Sequence, residues 1–190
     1  MKSKNQHNKL QNLKRFKNPK GFRGRSAFTV QLWWAVQVLF FKPSPQLFYG
    51  WRRFILRAFG AKIGKKVIIR PTARITYPWK VSIGDFSWIG DEVVLYSLGN
   101  IKIGENTVIS QRSYICTGTH DYNSEDFRIY AEDTNIGSKC WLATDVYVAP
   151  GITIKDGVVV GARSSVFSDL DANKVYVGSP AKSIKNRTVE

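Results

Sequence analysis

From Ile63 onward an aliphatic residue returns every sixth position. The series forms five triplets: Ile63, Ile69, Ile75; Ile83, Ile89, Leu95; Ile103, Ile109, Ile115; Ile136, Leu142, Val148; and Ile154, Val160, Val166. Four places after an aliphatic position stands a small or β-branched residue: Val67, Ala73, Ser87, Val93, Thr107, Ser113, Thr119, Cys140, Val146, Ile152, Val158 and Ser164. Glycine follows the aliphatic residue at Gly64, Gly84, Gly90, Gly104, Gly137 and Gly161. A period of six matches neither the 3.6-residue helix nor the alternating strand. It suits a short strand followed by a tight turn, three of which close one triangular coil with the aliphatic side chains stacked inside.

Successive triplets start 20, 20, 33 and 18 residues apart, against 18 for an uninterrupted coil, so surpluses of two, two and fifteen residues must leave the coil. The longest excursion spans residues 121–135 and begins directly after His120. It is polar and carries Tyr122, Phe127, Arg128 and Tyr130 among carboxylates, the position and composition of a functional loop on a rigid scaffold.

Before the repeat the chain is strongly cationic. Of 29 Lys and Arg, 19 precede Asp85, and no acid does; the remainder carries 10 basic residues against 14 acids. Such asymmetry points to an anionic neighbour. Residues 1–25 read as a basic flexible tail. The apolar stretch Phe28 to Phe41 is shorter than a membrane span, is interrupted by Gln31 and Gln37, and is followed by no small-residue cleavage site, so neither a transmembrane helix nor a signal peptide is expected. After Pro43 and Pro45, residues Leu47, Trp51, Phe54, Ile55, Ala58 and Phe59 recur at helical spacing with Arg52, Arg53 and Arg57 interleaved, up to Gly60. This predicts an amphipathic helix whose apolar face covers the end of the main domain while its arginines stay free to meet lipid phosphates. The expected organisation is a tail (1–25), an apolar and amphipathic helical cap (26–60), a β-helix (61–170) with the loop 121–135, and a C-terminal segment (171–190).

Cys116 and Cys140 are too few for a disulfide framework or a thiolate zinc site, and a reducing, cytoplasmic setting fits them. His7 and His120 are too few for a histidine-built metal centre, so no metal is expected; a three-histidine zinc enzyme of similar architecture fails on this count. Cys140 falls on an inward position, and Cys116 has no assigned role. No nucleic-acid-binding motif accompanies the basic tail, so no nucleic-acid partner is expected.

Residues 60–186 resemble the hexapeptide-repeat acyltransferases. The stretches FGAKIGKKVIIRPTARITYPW, SIGDFSWIGDEVVLYSL, ISQRSYICTGTHDYN, IGSKCWLATDVYVAPGITI and VYVGSPAKSIK resemble most closely the colanic acid biosynthesis group of sugar O-acetyltransferases. The resemblance implies a mainly β fold, a left-handed parallel β-helix with N-terminal helices and one long excursion loop. It also implies acetyl transfer from acetyl-CoA to a sugar hydroxyl, with His120 as general base. A hydroxyl is a weak nucleophile, and an imidazole ordinarily titrates in the range suited to deprotonating it as it attacks. Asp121 is the expected orienting partner. By the same resemblance Ala143, Thr144, Ala162 and the turn Gly178, Ser179, Pro180, Ala181 line the pantetheine path, with Lys182 and Lys185 near the phosphates and Trp141 beside the acceptor.

One departure bears on the acceptor. Small-sugar relatives carry an acceptor-binding asparagine where this chain reads Trp88-Ile89-Gly90-Asp91, which argues against a small free galactoside or maltose. A polysaccharide precursor such as a lipid-linked oligosaccharide, a homotrimeric assembly, and peripheral contact of the cationic N-terminal region with an anionic inner membrane surface complete the expectations. The competing function is a non-catalytic β-helix scaffold, or transfer of another acyl group.

Overall fold

The computed structural model describes residues 10–188; the first nine residues of the basic tail, His7 among them, and the last two lie outside the described residues. The repeat winds as a left-handed parallel β-helix of triangular section. One face stacks Lys62–Ile63, Val81–Ile83, Ile101–Ile103, Thr134–Ile136 and Thr153–Ile154. The second stacks Ile68–Ile69, Trp88–Ile89, Val108–Ile109, Trp141–Leu142, Val159–Val160 and Lys174–Val177, and ends on the antiparallel strand Lys182–Asn186. The third holds Arg74–Ile75, Val94–Tyr96, Tyr114–Cys116, Tyr147–Val148 and Ser165–Val166. Ladder partners Ile63, Ile83, Ile103, Ile136 and Ile154 reproduce the spacing of the triplets.

All fifteen periodic aliphatic residues point into the prism, and the least buried, Ile63, is 7% exposed. The small positions are buried too, except Thr119, which belongs to a hairpin strand opposite Tyr130. Thr117 and Thr134, both fully buried, close the coil at the hairpin's base.

The glycines after the aliphatic positions answer to close stacking of successive corners. A Cβ on Gly104 would lie 2.5 Å from the Ser138 nitrogen and 2.6 Å from the Gly137 carbonyl carbon, both backbone. Gly104→Ala is therefore expected to cost about 1–3 kcal/mol through forced separation of two coils, read as a lowered denaturation midpoint.

Every surplus leaves by the same corner, between the third face and the first. There lie the short helical turn Pro78–Lys80, the segment 97–100, and the long excursion, folded as a hairpin of Gly118–His120 against Ile129–Ala131. The chain is back in the first face by Thr134.

The N-terminal cap consists of helix α1 (Ala27–Val36), a π-helical turn (Gln37–Phe41) and helix α2 (Tyr49–Ala58). Amides of the first coil donate to carbonyls of the second, as Gly64 N does to Ile83 O and Arg70 N to Ile89 O. The first coil consequently presents its own carbonyls at the open end of the prism, where they need donors. The cap supplies them. Arg52 Nε donates to Ile69 O (2.6 Å), Arg53 Nη1 to Val67 O (2.9 Å), Arg57 Nη2 to Ile63 O (2.6 Å) and Trp33 Nε1 to Ile75 O (2.9 Å).

Helix α2 is thus turned opposite to the expectation from its apolar spacing. Its arginines face the β-helix, and Leu47, Trp51 and Phe54 face outward. Of the predicted inward set Ile55 is buried, beside Leu56, and Phe59 packs partly buried on the core against Trp33. Unsatisfied strand carbonyls attract guanidinium donors more strongly than the already complete core attracts further aromatics.

Residues 10–25, read from composition as flexible, make specific contacts with the excursion and the base of the prism. Arg15 pairs with Glu125 (2.7 Å), Asn12 N donates to Glu125 O (2.7 Å), and Arg23 O accepts from Trp79 Nε1 (2.7 Å).

Candidate active site

His120 ends the first strand of the excursion hairpin and is partly buried. Its Nδ1 lies 2.8 Å from the Phe127 carbonyl oxygen. A carbonyl only accepts, so Nδ1 donates in this bond, and in the neutral ring the lone pair then resides on Nε2, the tautomer required of a base acting through Nε2. The Phe127 ring stacks on the imidazole at 4.3 Å and an interplanar angle of 9°, and Phe16 of the N-terminal arm approaches to 5.9 Å. Phe127 holds a left-handed backbone (φ 46°), which turns its carbonyl and its ring toward the histidine together.

Asp121 does not fill the orienting role expected of it. Its carboxylate accepts from Asn123 N (3.0 Å) and pairs with Arg128 (3.5 Å), while its backbone amide binds Arg128 O. These contacts tie the hairpin loop and direct the carboxylate away from the imidazole.

The residues expected along the donor path gather on another corner, between the second and third faces. Ala143 and Thr144 follow Leu142 there, and Ala162 follows Val160 one coil higher. The turn Gly178-Ser179-Pro180-Ala181 folds over the same corner. Gly178 O accepts from Ser165 N (3.0 Å), and Ala181 N donates to Ser165 O (2.9 Å). Gly178 has φ 97°, a conformation other residues avoid. Ala162 and residues 178–180 are exposed, whereas Ala143 and Ala181 are buried. Lys182 and Lys185 are exposed on the closing strand.

Trp141 projects outward from the second face, 48% exposed, and its Nε1 donates to Ser110 Oγ (3.0 Å). Trp88, also exposed, precedes it on the same face, and Asp91 is engaged by Arg70 Nε (2.7 Å) and Thr72 Oγ1 (2.8 Å).

Three features of this corner had no sequence signal. Arg112 holds Asp145 through two bonds (2.7 and 3.0 Å), and this pairing keeps the carboxyl below the usual carboxylate range. Arg163, beside Ala162, extends into solvent 3.7 Å from Asp145. Below them lies a cavity of about 630 Å³ between the π-helical turn and the third face, lined by Gln37, Thr72, Arg74, Glu92, Arg112 and Tyr114 among others. Its size is that of small-molecule sites.

Within one chain the His120 corner and the corner of Ala143 and Ala162 stand on opposite edges of the third face. Between them runs an aromatic ladder of Tyr96, Tyr114, Tyr147 and Phe167, with ring centroids 5.8–6.2 Å apart. Burial, with Cys116 and the neighbouring tyrosines adding to it, pushes the Tyr114 hydroxyl up to about 12. Both cysteines are buried, and desolvation raises the Cys140 thiol, so Cys140 is a core residue rather than a nucleophile. No group of three or more potential metal ligands occurs among the described residues.

No family model matches the chain. It is 61% identical over 178 residues, 94% of its length and 98% of the relative's, to the protein of Escherichia coli (strain K12) named "Putative colanic acid biosynthesis acetyltransferase WcaF". Among solved structures, a maltose O-acetyltransferase from Clostridium difficile 630 superposes with TM-score 0.80 at 26% identity over 92% of both chains. The hexapeptide-repeat acetyltransferase VCA0836 of Vibrio cholerae O1, in complex with acetyl coenzyme A, gives TM-score 0.78 at 21% identity and shares the fold, covering 87% of this chain and 92% of that one.

Proposed function

The chain belongs to the hexapeptide-repeat acetyltransferase family of the Escherichia coli colanic acid biosynthesis acetyltransferase WcaF, and we propose that it moves an acetyl group from acetyl-CoA to a hydroxyl of a sugar in a polysaccharide precursor. The observation that carries this reading is the contact of His120 Nδ1 with the Phe127 carbonyl oxygen (2.8 Å). With Nδ1–H held by the Phe127 carbonyl, Nε2 is available to take the proton of a sugar hydroxyl as its oxygen attacks the thioester carbonyl. The C–O ester bond forms and the C–S bond breaks. The departing coenzyme A thiolate then takes up the proton from the imidazolium, which restores the neutral base.

Donor and base come from two copies in this reading. The pantetheine arm follows Ala143, Thr144, Ala162 and the 178–181 turn, with Lys182, Lys185 and Arg163 toward the phosphates. The acceptor enters the cavity below, and His120 reaches it from the neighbouring copy. This arrangement is supported by the separation of the two corners across the third face, and by the surfaces of the prism. The first face turns Lys62, Ser82, Lys102, Asn135 and Thr153 outward, whereas the third turns out its aromatic ladder, which needs cover. Light scattering of the active protein is expected to return the mass of a trimer; an active monomer would refute the shared site.

The acceptor in this reading is a sugar of a polysaccharide precursor, in keeping with the colanic acid biosynthesis that the relative's name gives. The reading is tested by mass spectrometry of cell-surface polysaccharide and its lipid-linked precursor from cells with and without the protein. An alkali-labile O-acetyl group that depends on the protein is the expected result; identical polysaccharide would overturn it.

A further inference from the structure

The orientation of α2 leaves an apolar surface at the end of the prism with none of the described residues folded over it. Its inner side is occupied with the carbonyls of the first coil, so Leu47 (79% exposed), Phe48, Trp51 and Phe54 (61%) look away from the β-helix. The surface continues onto the preceding segment, because Trp51 Nε1 donates to Phe40 O (3.0 Å), and Leu39 and Phe40 are themselves exposed. The Trp51 and Phe54 rings stack at 5.9 Å. An outward patch of large aliphatic and aromatic side chains is not the ordinary surface of a water-exposed helix.

The charge around the patch selects its occupant. Exposed Lys42 follows the π-helical turn, exposed Lys62, Lys65 and Lys66 rim the first coil, and no acid occurs before Asp85. A second copy applied through this surface would bring the same cations against them. A bilayer with anionic headgroups offers the complementary charge and receives apolar side chains without requiring a matching groove. Among the described residues no helix is long and apolar enough to cross a membrane.

We propose that this surface docks the protein on an anionic lipid bilayer, with Leu47, Phe48, Trp51 and Phe54 inserted to the depth of the acyl boundary and the lysines against phosphates. The arginines of α2, the obvious lipid ligands from sequence, serve the fold instead. The inference is independent of the reaction assigned above, and its test reads no activity.

The experiment is flotation of the full chain with phosphatidylcholine vesicles, with and without phosphatidylglycerol, at low and high salt, for three proteins. These are the unmodified chain, Leu47→Gln with Phe54→Gln, and Lys42→Gln with Lys65→Gln and Lys66→Gln. Thermal denaturation and light scattering of each establish that fold and assembly persist. The unmodified chain is expected to float with the anionic vesicles, more weakly at high salt, and each variant to bind at least about tenfold more weakly. Absence of flotation with anionic vesicles at low salt overturns the proposal. Unchanged binding of the folded Leu47/Phe54 variant does so as well. Loss of oligomeric mass in that variant would identify the surface as a subunit interface, and equally overturns it.

Discussion

Replacing Arg52 by alanine is expected to destabilise the protein by about 3–5 kcal/mol, because several neutral acceptors lose a charged donor together, each loss costing about 1–3 kcal/mol where the acceptor is buried. For a chain of this size that lowers the melting temperature by about 10 °C. The guanidinium is fully buried. It donates to Ile69 O (2.6 Å), Ser44 Oγ (2.9 Å), Pro45 O (2.9 Å) and Gln46 O, and lies 5.0 Å from the centre of the Tyr49 ring. One side chain thereby satisfies a first-coil carbonyl and the loop that enters α2, so its removal leaves the Ile69 carbonyl and the loop acceptors without this donor. Arg52→Met separates the contributions, since it keeps most of the volume and removes every donor. A loss comparable with alanine's assigns the effect to hydrogen bonding, and recovery by methionine assigns it to packing. Arg52→Lys should recover little, because an ammonium cannot present the forked geometry these acceptors require. Urea denaturation measures all three, and a loss below about 1 kcal/mol for alanine would contradict the capping role.

The inward turn of Arg52 has no signal in the sequence pattern. The six-residue period is legible because burial repeats with it: each of the fifteen aliphatic positions is buried and stacks on its equivalent in the adjacent coil. The spacing within α2 identified which residues share a helix face but not which face turns inward. That choice depends on the direction of the β ladder, which leaves carbonyls rather than amides at the N-terminal end of the prism. Thr119 was misplaced for a related reason, since the repeat extrapolates through the point where the chain leaves the coil for its hairpin.

At the candidate site, His120 was legible from its motif and its place before the excursion. Its orientation was not, because the partner is a backbone carbonyl brought into position by the left-handed conformation of Phe127. Adjacency in sequence suggests Asp121, yet its carboxylate serves the turn that follows the strand, accepting from Asn123 N and pairing with Arg128. The cavity beneath the π-helical turn combines residues from three coils and the cap, a combination no linear motif encodes.

His120→Ala is expected to lower kcat by roughly 10²–10⁴, the usual contribution of a positioned general base, and to leave acetyl-CoA affinity nearly unchanged. In the proposed reaction the imidazole acts on the acceptor hydroxyl, and the residues assigned to the donor lie on another corner of the prism. Its ring also stacks on Phe127 and meets Phe16, so a purely structural histidine would betray itself through stability instead. The decisive measurement is steady-state release of coenzyme A with saturating acceptor, made on the unmodified protein and on His120→Ala of matching melting temperature, with acetyl-CoA binding followed by calorimetry. A fall in turnover of at least about a hundredfold with donor affinity intact is the predicted result. Near-normal turnover in the folded, donor-binding variant would contradict the assignment of His120 as the base.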